Sequence, residues 1–319
     1  MKKINYYFVK IDDFFYKIFR AIRYLINRIP GIYIGNEYIV RVNKILKKLN
    51  KNYDLIIVEN SPEYVLKIPK KYYKKIMLHL HNDFLNTKTS LSKKIFNTYD
   101  RILCLSDFVS NKVNAIDFDN KKAYTCYNGI DLDKFKIVSS EKIDFFRNKY
   151  GINDRDFVYI YSGRLTEEKG IGKLIDAFLI VNQKFSNVKL LVCGRLLDNS
   201  FVKKIVSKAN DNIIFTDYIK NEELLYLYNI ADVGVVPSIV EEGFGLIIVE
   251  NFACGNPVIV SDSGGMIELV NNNNGIIFER QNFLDNLVNS MIFIQKQKFG
   301  LTIEPSLKIG PNDPIYNEI

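Results

Sequence analysis

Short apolar runs alternate with amphipathic segments along most of the chain. Runs at 54–58, 75–81, 101–105 and 123–127 predict strands in the first half. Runs at 157–161, 188–192, 212–215, 233–236 and 257–260 predict strands in the second. They are too continuously apolar for a half-exposed antiparallel sheet and fit parallel sheets covered by helices on both faces. Segments 172–185 and 221–230 carry helical spacing between strands, as βα units require. The regular helical pattern at 11–29 places Phe14, Phe15, Ile18, Phe19, Ile22, Leu25 and Ile26 on one face, and Pro30-Gly31 ends it. This helix either lies on an anionic membrane surface or covers a sheet.

The Asn128-Gly129 turn and the charged stretch 131–156 mark a break, placed near residue 140. The chain therefore reads as a first domain (1–140), a second (141–285) and a tail (286–319). Its 319 residues suit two domains. Charge divides along the same line. Residues 1–136 hold 26 Lys and Arg against 13 Asp and Glu, a net +13, and residues 137–319 hold 18 against 23, a net −5. The basic half suits phosphates, an anionic membrane or nucleic acid, although Lys, Ile, Asn and Tyr abound throughout and composition alone could produce the excess. No uncharged apolar run is long enough to span a membrane, and no signal peptide is read at the start. The cysteines Cys104, Cys126, Cys193 and Cys254 lie far apart beside apolar runs, which predicts reduced, buried thiols and a cytoplasmic chain.

Candidate chemistry concentrates in 157–278. Gly163 ends a predicted strand and precedes Arg164 and Lys169, a guanidinium fork and a point charge suited to one pyrophosphate. After the next such strand comes PSIVEEGFGLIIVE, in which Gly243 and Gly245 permit tight backbone and Glu242 and Glu250 stand seven residues apart. With a helix starting near Phe244, the first carboxylate precedes its N-terminus and the second sits about two turns in. Glu250 lies within an apolar run, where an unpaired charge is costly. The string 255–268 then reads strand, glycine-rich turn, helix. The triplets Asp131-Leu132-Asp133 and Asp117-Phe118-Asp119 are not assigned to a metal, and no P-loop or G-x-G-x-x-G string occurs.

Together SGRLTEEKG, PSIVEEGFGLIIVE, ACGNPVIVSDSGGMIELV, NNGIIF and YNGIDLDKF resemble the retaining nucleotide-sugar glycosyltransferases of GT-B fold, family 4 type. YDLIIVENSP and LHLHND are similar to bacterial surface-polysaccharide and spore-coat members. The resemblance covers about 50–280 and implies two Rossmann-like domains facing across a cleft. It implies that Arg164 and Lys169 hold the donor diphosphate, and that Glu242 lies against the transferred sugar. It further implies that Glu250 binds the ribose, and that Gly163, Gly243 and the backbone of Phe244, Gly245 and Leu246 line the donor site. His81 matches a histidine reaching toward the donor sugar, and His79, two residues earlier, competes for that role. Glu242 is not assigned as a covalent nucleophile, and no metal or other cofactor is expected. The implied partners are a nucleotide sugar and a glycan or lipid-linked acceptor, with contact at the inner face of the plasma membrane. No nucleic acid is expected. Only about 50 residues precede YDLIIVENSP, so the first domain reads as shortened. An inactive relative that binds a nucleotide sugar or a protein partner is the alternative function.

Overall fold

A computed structural model describes residues 37–116, 123–139 and 141–296. The amphipathic stretch 11–29, the Asp117-Phe118-Asp119 triplet and 297–319 lie outside the described residues. The chain divides into two compact units between Cys126 and Tyr127.

In the first unit, strands β1 (Tyr53–Glu59), β2 (Tyr73–Leu80), β3 (Arg101–Cys104) and β4 (Ala123–Thr125) form a parallel sheet in that order. Helices α1 (Glu37–Leu49), α2 (Ser90–Thr98) and α3 (Asp107–Ala115) accompany it. Local chemistry starts two of them. Thr89 and Ser92 exchange hydrogen bonds in a capping box before α2. Ser106 Oγ accepts from Val109 N before α3. Ile76, Leu78, Leu80 and Ile102 are buried with Phe96 and Tyr99, as the apolar runs require.

The second unit carries α4 (Glu141–Lys149), β5 (Phe157–Ser162), α5 (Ile171–Lys184), β6 (Val188–Cys193), α6 (Ser200–Ser207) and β7 (Ile213–Asp217). Then come α7 (Asn221–Ile230), β8 (Val233–Val236), α8 (Leu246–Ala253), β9 (Val258–Ser261), β10 (Gly275–Phe278) and α9 (Phe283–Lys296). Its six strands are parallel, in the order β10-β9-β8-β5-β6-β7. The chain winds outward from β5 through β6 and β7, then returns to place β8 on the other side of β5. The direction of winding therefore reverses between β5 and β8. In open parallel sheets ligands bind outside the carboxyl ends of the strands at that reversal.

Four details differ from the sequence reading. The break falls at 126/127 rather than near 140, because Phe135 buries its ring with Phe146 and Tyr228 in the second unit's core. The charged stretch after it contains α4, which buries Phe146 alone among its residues. Residues 286–296 belong to α9, whose Leu287, Met291 and Ile294 are buried against β5 and α5 residues, so they are core and not tail. The glycine-rich turn after β9 leads into a short 3-10 turn, Gly264–Glu268, where a helix was expected.

Candidate active site

The loops that follow β5, β8 and β9 meet at the reversal point, and backbone contact holds them there. Gly170 caps α5 with φ +71°, and a Cβ on it would stand 1.7 Å from the carbonyl oxygen of Pro237, just after β8. Only glycine meets both conditions. Ile239 N donates to Glu168 O at 2.9 Å, a second tie between the same loops. Gly264, after β9, presses on the backbone of Glu242, whose carbonyl accepts from Gly265 N at 2.8 Å. Ser263 Oγ donates to Val240 O at 2.6 Å and faces Glu242 N at 3.1 Å. Arg280, after β10, reaches across to Glu241 at 2.8 Å and Asp262 at 2.9 Å.

Within this frame Lys169 Nζ donates to Glu242 Oε1 at 2.6 Å, and Ser238 Oγ donates to the same oxygen at 2.6 Å. The two charged side chains are 27% and 18% exposed, so the pair is shielded from water without being sealed from it. Arg164 is exposed, and its guanidinium bonds to no described residue. The Tyr161 hydroxyl donates to Arg164 O at 2.6 Å and fixes the backbone from which it projects. One paired and one unpaired cation thus stand on the same short loop.

Glu250 lies on α8, which starts at Leu246, two residues later than the sequence suggested. Gly245, at φ +109°, precedes the first helical turn. The buried Tyr228 hydroxyl donates to Glu250 Oε2 at 2.8 Å. Burial raises the Glu250 carboxyl above its ordinary value, and the Tyr228 hydrogen bond and the charge of Lys134 pull it back only in part. Phe244 is buried beside Tyr127, with ring centroids 6.0 Å apart, while Gly163, Gly243 and Gly245 are half-buried and Leu246 is exposed. The second unit carries Gly163, Arg164 and Lys169 on the loop after β5, Glu242, Gly243, Phe244 and Gly245 on the loop after β8, and Leu246 and Glu250 on α8, with Lys169 and Glu242 in direct contact.

His81 belongs to the first unit and follows β2 directly. His79 and His81 both reach Glu59 Oε2, His79 Nδ1 at 3.1 Å and His81 Nε2 at 2.9 Å. Burial holds the His79 imidazole below its ordinary value, against the pull of Glu59. Cys104, Cys193 and Cys254 are buried, free and pushed up to about 12 by burial, so they stay protonated at neutral pH.

Sequence reasoning missed Ser238, Ser263, Arg280, Tyr228 and Glu59. Ser238 stands inside a quoted string, four residues before Glu242, but that spacing alone names no partner. The others act on residues from separate loops or strands.

Residues 9–134 match the model described as Glycosyltransferase Family 4, and residues 142–298 match Glycosyl transferases group 1. An uncharacterized glycosyltransferase of Methanocaldococcus jannaschii is 31% identical over 199 residues, 60% of this chain and 50% of the relative. The capsular polysaccharide biosynthesis glycosyltransferase CapM of Staphylococcus aureus is 31% identical over 213 residues, 66% of this chain and 51% of that protein. The alpha-monoglucosyldiacylglycerol synthase of Acholeplasma laidlawii is 29% identical over 219 residues, 66% and 54% respectively. The chain thus spans about half the length of these curated relatives. Anabaena HepE in complex with UDP-glucose superposes with a TM-score of 0.66 at 22% identity, covering 82% of this chain and 74% of that one. Sucrose-phosphate synthase from Thermosynechococcus elongatus gives 0.70 at 19% identity, covering 86% and 74%. With one family model on each unit and two parallel-sheet α/β domains like those of its structural neighbours, the chain belongs to the GT-B glycosyltransferases, a family 4 domain preceding a group 1 domain.

Proposed function

We propose that this chain transfers a sugar from a nucleotide-sugar donor to a surface-glycan or lipid-linked acceptor, with retention of anomeric configuration. The observation that carries the reading is the Lys169–Glu242 pair at the reversal of the second sheet, with Arg164 open beside it. A leaving nucleoside diphosphate needs its growing negative charge neutralised, and prearranged cations do that without reorganisation. Arg164 and Lys169 supply them. Lys169 turns from Glu242 toward the diphosphate, and Glu242, still held by Ser238, is then free to accept from sugar hydroxyls. The half-buried Glu250 carboxylate accepts from the ribose hydroxyls, and the backbone of Phe244, Gly245 and Leu246 lines the sugar and phosphate. His81 takes the role its motif position implies, contact with the donor sugar. The step is proposed without a metal, because two side-chain cations already serve the leaving group.

Curated relatives include a capsular polysaccharide enzyme and a glycolipid synthase, and these names support the acceptor class proposed. Placement at the inner face of the plasma membrane is part of the same proposal and rests on the +13 of residues 1–136. Among the described residues no helix is long and apolar enough to cross a membrane. The test is incubation of the purified chain with UDP- and GDP-sugars, with and without lipid-linked acceptors. Release of nucleoside diphosphate that depends on acceptor supports transfer. Binding without release in any combination supports the inactive-relative reading instead.

A further inference from the structure

The chain has two histidines, and both stand in one cluster on the first unit. Their placement follows from strand geometry. Side chains two residues apart on a strand share a face, so His79 and His81 point the same way at the end of β2. Glu59, the last residue of β1, is the register partner of His79 on the neighbouring parallel strand. Its carboxylate therefore rises on that face too. The strand ends are tied through Asn60: its backbone N donates to His79 O at 2.8 Å, and its side-chain Oδ1 accepts from His81 N at 3.1 Å. Three donors thus project from a rigid platform.

We infer that, while no donor sugar engages His81, Glu59, His79 and His81 form a binding site for a borderline divalent transition cation of the zinc type. One ligand atom from each residue lies within 4.8 Å of the others, and among the described residues no other three His, Cys, Asp or Glu side chains come together in this way. Two imidazoles and a carboxylate, with a fourth position open to water, are a donor set that suits Zn²⁺ at about 2.0–2.1 Å. Tetrahedral donors at that distance stand about 3.3 Å apart. Glu59 Oε2 already lies 3.1 Å from His79 Nδ1 and 2.9 Å from His81 Nε2, so these two edges need to open by only a few tenths of an ångström to take the ion, while the two nitrogens stand within 4.8 Å of each other. The rings are 4.3 Å apart and tilted by 52°. His79 Nε2 has no hydrogen-bond partner, so no competing bond holds that ring away from a cation at Nδ1. Glu59 is 58% exposed and His81 41%, which leaves an entry path from solvent. A nitrogen and oxygen set of this kind selects zinc, cobalt or nickel over the oxygen-seeking magnesium and calcium.

The experiment titrates the full chain, freed of metal by chelator, with CoCl₂ and then ZnCl₂. The expected result is one Co²⁺ per chain with visible d–d bands, no thiolate charge-transfer band, and displacement by Zn²⁺ but not by millimolar Mg²⁺. His81→Ala and Glu59→Gln should each weaken binding by about 100-fold or more, since even outer-shell partners of a metal are worth 10–100-fold. Both residues are well exposed, so the variants should keep the circular dichroism and melting profile of the parent. His79→Asn provides a third ligand test and is read only if its melting profile is unchanged. Cobalt binding of unaltered affinity in His81→Ala and Glu59→Gln, a thiolate band abolished by cysteine alkylation, or no binding at all would each overturn the site.

Discussion

Breaking the Lys169–Glu242 pair should cost stability, and the cost should be shared between the partners. The ammonium and carboxylate are 2.6 Å apart and about three-quarters buried. Exposed pairs are worth roughly 0.2–1 kcal/mol, while removing one partner of a fully buried pair costs about 3–5 kcal/mol. This pair lies between, so a coupling energy of about 1–3 kcal/mol is expected. Lys169→Met keeps the alkyl stem and leaves Glu242 with only the Ser238 hydroxyl. Glu242→Gln keeps an acceptor for Ser238 and leaves Lys169 without its carboxylate. Urea unfolding of the parent, both single variants and the double variant closes the cycle. The double variant should be no less stable than the weaker single one. A nucleoside diphosphate should then stabilise Glu242→Gln at least as much as the parent, because Lys169 no longer has to leave a carboxylate, and should stabilise Lys169→Met least. Strictly additive losses, within about 0.5 kcal/mol, would refute the pairing.

Further outcomes follow from neighbouring contacts. Gly170→Ala should destabilise by about 2–5 kcal/mol in urea melts, combining left-handed strain with overlap on the Pro237 carbonyl. Glu250→Gln should weaken nucleoside diphosphate binding in calorimetry by about 1.5–3 kcal/mol, yet leave the fold at neutral pH as stable as the parent or more so. The sign follows from linkage: a carboxyl raised in the folded state binds more protons than in the unfolded chain, so its contribution falls as pH rises from its ordinary value through the raised one. Denaturation across pH 4–8 should show that fall in the parent and a flatter profile in Glu250→Gln. Tyr228→Phe removes the hydroxyl that donates to Glu250 Oε2 and should extend the fall to higher pH.

The strands, and the loops that follow β5 and β8, were legible because each is written locally. A run such as that at 157–161 is apolar on both faces only if helices cover both, and Gly163, Arg164 and Lys169 mark the loop after it within seven residues. Elements with weak local signals escaped. Gly275–Phe278 is four residues behind an asparagine run, and α4 buries a single phenylalanine, so neither carries a period long enough to read. Contacts between loops escaped for another reason. Ser263 meets Glu242 and Arg280 meets Glu241 only once β8, β9 and β10 lie side by side. Glu59 and His79 are twenty residues apart, and nothing in either segment states that they share a register.

Direct binding of nucleotide sugars to the full chain tests the central claim, that the loops after β5 and β8 hold a donor diphosphate. Calorimetric titration with UDP-glucose and GDP-mannose, repeated on Arg164→Ala and Lys169→Ala, is the measurement. One donor should bind at a single site per chain, and each substitution should weaken it by about 1.5–3 kcal/mol, roughly ten- to more than a hundredfold. Absence of binding by both nucleotide sugars and by UDP and GDP, or affinity unchanged in both variants, would contradict the account.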